Sequence, residues 1–245
     1  MNSLNEIKAL NARKALFIFD LAGTLFNTLG DLAPAVNYAL KHFGLQQHST
    51  EKIKSFIGNG SMKLIERSMG DAALPRNMVQ SGVRITDVHK IYTDYYWEHC
   101  TENTTPNPYI LDFLNGTDVR CAVLTNKPLA PTLKIFRKYG IENRFEQILC
   151  GDTTPERKPS PAGLLQIVAK TGVATKNVVM IGDDTPDIMA ARNAGVDCIT
   201  LLCGFGKKEN LLPLHPECSV QSFEALYELL KVMCSKIKES ETSEP

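Results

Sequence analysis

Neither sign of charge dominates this chain: 27 lysines and arginines balance 27 aspartates and glutamates. No global field therefore favours nucleic acid or an anionic membrane, and any attraction for anions must be built locally. No apolar run approaches the roughly 20 residues that cross a bilayer. Met1 to Lys14 alternates polar and apolar residues with no continuous apolar stretch before a small-residue cleavage site, so no signal peptide is expected. The seven cysteines are scattered, with no C-x-x-C pair and no Cys/His cluster of zinc-site spacing. That pattern predicts a reducing, cytoplasmic setting. There is no internal repeat, and the stretch Lys236 to Pro245, polar with three glutamates and two lysines, is expected to be a flexible tail. Nothing in the sequence speaks to oligomeric state.

What is present is a series of short apolar runs, each ending in polar residues. Ala15 to Phe19 runs into Asp20-Leu21-Ala22-Gly23-Thr24, Cys121 to Leu124 into Thr125-Asn126-Lys127-Pro128, Val178 to Ile181 into Gly182-Asp183-Asp184, and Cys198 to Leu202 into Gly204. Nearly continuous apolar runs of this length predict buried parallel strands. Helical periodicity separates them over Leu129 to Tyr139, Pro161 to Thr171 and Asp187 to Ala194. Strand–helix alternation predicts an α/β fold with a Rossmann-like parallel sheet core, in which ligands sit at the carboxyl ends of the strands. Between the first two strands, Asp31 to Phe43, Thr50 to Ser68 and Ile85 to Cys100 have helical spacing and little strand character, with Asp31 and Thr50 as candidate caps. This predicts an inserted α-helical cap, with Pro106 and Pro108 marking the return. The expected division is a core of residues 1–26 and 108–235, a cap of residues 27–107 and a tail of residues 236–245.

The polar residues at the strand ends form a set with a shared chemistry. Asp20 is a carboxylate that can act as a nucleophile toward phosphorus only with positive charge around it. Asp183 supplies a second hard oxygen ligand of the kind magnesium prefers, and Asp187, one turn on, can steady the metal shell. The Thr125 hydroxyl and nearby backbone N–H groups can hold phosphate oxygens, and Lys158 can neutralise the phosphate and restrain Asp20. Taken singly, a strand-end Asp is more often a cap or turn former and a lone lysine a solvated surface group.

In combination these residues resemble the haloacid dehalogenase superfamily, and within it the phosphoglycolate phosphatase-like members with a helical cap. The likeness runs from about Ala15 to Leu230. The D-x-D-G-T-L motif corresponds to Asp20-Leu21-Ala22-Gly23-Thr24-Leu25, the Thr/Ser motif to Thr125, the lysine motif to Lys158-Pro159, and G-D-x-x-x-D to Gly182-Asp183-Asp184-Thr185-Pro186-Asp187. The cap segment Phe56 to Gly60, followed by Leu64-Ile65-Glu66-Arg67, is similar as well. The resemblance implies a magnesium-dependent phosphatase of small phosphorylated metabolites acting through an aspartyl-phosphate on Asp20. It implies metal binding by Asp20, the backbone carbonyl of Ala22, Asp183 and Asp187, and substrate contacts from Thr24, Asn126, Lys63 and Arg67.

One position departs from the family. Its second aspartate, the acid/base, is Ala22 here, and loss of such a group slows turnover on the order of 10²–10⁴-fold. Three explanations stand: an inactivating substitution in an otherwise intact phosphatase, a phosphonoacetaldehyde hydrolase-like reaction using an imine on Lys63, or a phosphate-binding protein without turnover. The first fits the retention of the remaining motifs. On the second, Lys63 and Arg67 are four apart on one helix face, which equally suits solvated charges.

Overall fold

The computed structural model describes residues 14–71 and 82–241. Six parallel strands form the core sheet: β1 (Leu16–Phe19), β4 (Arg120–Leu124), β5 (Gln147–Leu149), β6 (Val178–Gly182), β7 (Asp197–Leu201) and β8 (Cys218–Val220), in the order β5-β4-β1-β6-β7-β8. β1 lies centrally, with Phe19 opposite Val123 of β4 on one side and Ile181 of β6 on the other. All four β1 residues are fully buried, because both faces of the sheet are covered. Phe17 and Phe19 face one apolar cluster with Phe113, Leu226 and Leu230, while Leu16 and Ile18 face another with Leu164, Ile167 and Ile188. The first cluster is covered by α5 (Ile110–Gly116) and α10 (Phe223–Glu241), the second by α7 (Ala162–Thr171) and α8 (Thr185–Ala194). Between β4 and β5 lies α6 (Leu129–Lys138), and α9 (Lys208–Leu211) precedes β8.

The α/β class and the four strands read from the sequence are present. β5 and β8 were not legible, each having three residues at a sheet edge. The segment 236–245, expected to be a tail, enters the last helix as far as Glu241; residues 242–245 and most of the Met1 to Lys14 segment lie outside the described residues. Among the described residues, no helix is long and apolar enough to cross a membrane.

After β1 the chain leaves through β2 (Phe26–Asn27) and returns through β3 (Thr105–Pro106), which pair antiparallel. Between them lie α1 (Leu29–His42), α2 (Thr50–Lys54), α3 (Ser61–Asp71) and α4 (Ile85–His99), packed around their own cluster, which includes Val36, Leu40, Ile65, Val88 and Tyr96. The stretch Thr50 to Ser68, which has helical spacing in the sequence, forms two helices. The break falls at Gly58 and Gly60, whose φ angles of 121° and 86° no helix accommodates. Ser49 rather than Thr50 caps α2, accepting a hydrogen bond from the Lys52 N–H. Asp31 is not a cap either. Its carboxylate accepts from the backbone N–H groups of Asn103 and Thr104, each at 2.7 Å, and so ties the outgoing strand of chain to the returning one.

Candidate active site

The carboxyl ends of β1, β4 and β6 and the loop before α7 open into one cavity. From the core it is lined by Asp20, Ala22, Thr125, Asn126, Lys127, Lys158, Asp183, Asp184 and Asp187, and from the helical segment by Leu32, Ile57, Gly58, Ser61, Leu64 and Tyr92. Each strand ends where its apolar residues run out, which puts the first polar side chain after each run at the same level of the sheet.

Lys158 is the charge centre. Its Nζ donates to Asp20 Oδ1 at 2.7 Å, to Asp187 Oδ1 at 2.6 Å and to the Leu124 carbonyl at 2.8 Å. Burial opposes the charge on this lysine, but Asp187 and Asp20 outweigh it and hold its pKa above the ordinary lysine value. Asp183 accepts from the Thr24 hydroxyl at 2.6 Å and from the Phe205 N–H at 2.7 Å. Even so, burial and the neighbouring charges of Asp20 and Asp187 push its carboxyl well above the usual range. Asp187 is pushed up to about 6, by burial first and by Asp20 in part, against the pull of Lys158. Gly23 makes this crowding possible. It has a φ of 92°, and a Cβ on it would lie 2.1 Å from Asp183 Oδ2.

The donor set fits a hard divalent cation. Asp20, Asp183 and Asp187 each bring an oxygen within 4.8 Å of the others. Burial beside one another's negative charge is why Asp183 and Asp187 resist ionisation, and a divalent ion among the three carboxylates would offset it. Ala22 lines the same cavity, and its carbonyl accepts no hydrogen bond among the described residues. Asp187 is the most committed of the three, because its second oxygen accepts from the N–H groups of Asp183 and Asp184 at 3.1 and 3.0 Å and closes the capping box of α8. Its geometry is that of a residue that shapes the loop.

The residues expected to contact substrate divide differently from the sequence reading. Thr125 lines the cavity, and its hydroxyl accepts only a long bond from the Lys127 N–H at 3.3 Å, leaving its proton to donate. Thr24 instead spends its hydroxyl on Asp183. The Asn126 side chain is used within the protein: Oδ1 accepts from the Lys158 N–H, and Nδ2 donates to the carbonyls of Lys158 and Gly58, all at 2.9 Å. Lys63 is 55% exposed, pairs with Glu66 at 2.6 Å and does not line the cavity. Arg67 does not line it either, since its guanidinium donates to the Phe56 carbonyl and to Asn59 Oδ1 and so clamps the loop around Gly58. The helical spacing that puts Lys63 and Arg67 on one face gives no sign that this face turns from the cavity. Sequence reasoning passed over Lys127, Tyr92 and the Phe205 N–H. Lys127 stood inside a quoted motif, whereas a backbone donor leaves no mark in residue identity.

A family model for haloacid dehalogenase-like hydrolases matches residues 17–201. The chain is similar to a phosphoglycolate phosphatase of Chromobacterium violaceum, 32% identical over 94% of this chain and 99% of that protein. It is similar to that of Psychrobacter arcticus at 31% identity over 89% and 96%. A crystal structure described as a predicted phosphoglycolate phosphatase from Haemophilus somnus superposes with a TM-score of 0.78 at 29% identity, covering 89% of this chain and 97% of that one.

Proposed function

Since the chain belongs to the haloacid dehalogenase-like hydrolase family, we propose that it binds small phosphorylated metabolites of the phosphoglycolate type with Mg²⁺, and that Asp20 is the nucleophile of a phosphatase reaction slowed by Ala22. The observation that carries this reading is the ion pair of Lys158 with Asp20 beside Asp183 in one buried cavity. Lys158 fixes the Asp20 carboxylate through one oxygen, which leaves the other to attack phosphorus. The Asp20–phosphorus bond forms as the bond from phosphorus to the bridging oxygen breaks, and the departing alkoxide needs a proton. Thr125 and the adjoining backbone hold the phosphoryl oxygens. Asp20, Asp183 and the Ala22 carbonyl would hold magnesium, with Asp187 supporting the loop, and the ion when bound would supply charge that offsets repulsion between carboxylate and phosphate.

Ala22 has no proton to give the leaving group and no base for the later attack of water, so both halves of turnover suffer. Ligand binding needs neither, so affinity is retained. The imine route through Lys63 is not part of this reading, because a half-exposed lysine paired to Glu66 is neither desolvated nor at the cavity. Titration calorimetry of the native chain with inorganic phosphate tests the proposal: binding that requires Mg²⁺ is expected, and phosphate binding absent under both conditions contradicts it.

A further inference from the structure

The cavity contains two lysines, and the reading above uses only one. Lys158 meets two carboxylates. Lys127, two residues beyond Thr125, meets none. Its Nζ donates to the Tyr96 hydroxyl at 2.6 Å and lies 4.4 Å from the centre of that ring, and among the described residues no carboxylate is within ion-pairing distance. Tyr96 is 2% exposed, on α4, and stacks on Tyr92 with ring centres 5.5 Å apart. The phenol and its ring face hold the ammonium in place without neutralising it. Burial therefore dominates, lowering the lysine to about 8 against the opposing influence of Cys100, Asp20, Cys150 and Asp31. An ammonium kept in a desolvated position with a neutral partner is costly for the free protein and is offset when an anion arrives.

The rest of the lining narrows what that anion is. Lys127 and Lys158 are its two cationic residues, since Lys63 and Arg67 lie off the cavity. Leu32, Ile57, Leu64 and Tyr92 make the wall contributed by the helical segment largely apolar. Among the lining residues a phosphoryl group at Thr125 and Lys158 thus leaves one ammonium, which matches a single negative charge. A second phosphate, a dianion, calls for more than one cation.

Resting on the phosphate-site reading above, we propose that Lys127, positioned by Tyr96, binds a carboxylate carried close to the phosphate, and thereby selects short phosphorylated hydroxy acids over neutral phosphomonoesters. The test is calorimetry on the native chain with Mg²⁺, comparing 2-phosphoglycolate, ethyl phosphate and inorganic phosphate. The native chain is expected to prefer phosphoglycolate to ethyl phosphate by about tenfold or more, the range of a charged hydrogen bond. Lys127→Met should abolish that preference while leaving the affinity for inorganic phosphate within about threefold, a change too small for a lost charged hydrogen bond. Lys127→Arg should keep part of the preference, which a merely structural role would not. Equal native affinity for the two esters, or a preference that survives in Lys127→Met, overturns the assignment of Lys127 and leaves the phosphate site standing. Loss of inorganic phosphate binding from the native chain overturns both.

Discussion

Asn126 Nδ2 donates to the Gly58 carbonyl at 2.9 Å, so that the loop after β4 is bonded directly to the turn between α2 and α3. The same amide brackets Lys158, accepting from its N–H and donating to its carbonyl. One side chain therefore holds the helical segment over the cavity and fixes the backbone of the lysine that pairs with Asp20. Gly58 approaches so closely that a Cβ there would lie 2.0 Å from Asp184 Oδ2.

Asn126→Ala removes all three bonds and leaves the Lys158 N–H buried without an acceptor. The expected loss is about 1–3 kcal/mol of stability, read from urea denaturation, together with weaker Mg²⁺-dependent phosphate binding. A variant with unchanged denaturation midpoint and phosphate affinity would show that the amide positions nothing.

Lys158→Met leaves Asp20 and Asp187 buried side by side without their shared counter-charge. Breaking a buried ion pair from one side costs about 3–5 kcal/mol, so the variant should melt well below the parent in chelator. Mg²⁺ should recover part of the loss, because it restores positive charge among the same carboxylates. Thermal melts with and without Mg²⁺ check this, and equal melting of variant and parent in chelator would refute it.

Lys127 gives a pH signature of opposite character. Its pKa falls from the ordinary 10.5 to about 8 in the fold, so between those values the folded chain binds fewer protons than the unfolded one. Stability therefore gains from this group as pH rises from 8 toward 10.5 and lacks that gain below 8. Lys127→Met, which has no charge to desolvate, should exceed the ligand-free parent in stability near pH 7, with an advantage that shrinks by pH 9.5. Buried thiols such as Cys121 and Cys198 titrate in the opposite sense, and Lys127 is not among the charges acting on either, so their part cancels from the parent–variant difference. Paired denaturant titrations at the two pH values measure it.

The strand ends were legible in the sequence because burial on both faces makes β1, β4, β6 and β7 nearly pure apolar runs, and the first polar residues after them had to lie together. That reasoning found Asp20, Thr125 and Asp183. It did not reveal how Thr24 and Asn126 spend their polar atoms, because a residue type states which bonds a side chain can make and not which neighbours reach it first. The helical segment was read as helix from its periodicity, Gly58 and Gly60 divide α2 from α3 as glycines at a turn do, and the face carrying Lys63 and Arg67 was decided by packing between helices. Lys127 could have been suspected from its place two residues after Thr125. Its isolation from carboxylates is a property of the fold alone.

Ala22 lines the same cavity as Asp20 and Lys158, and the proposed phosphatase function takes it as the position of the missing acid/base. The most direct measurement is the rate of 2-phosphoglycolate hydrolysis by Ala22→Asp against the parent, with Mg²⁺ and in chelator. A rise on the order of 10²–10⁴-fold, dependent on Mg²⁺, is expected. A folded Ala22→Asp variant that stays as slow as the parent on phosphoglycolate would contradict it.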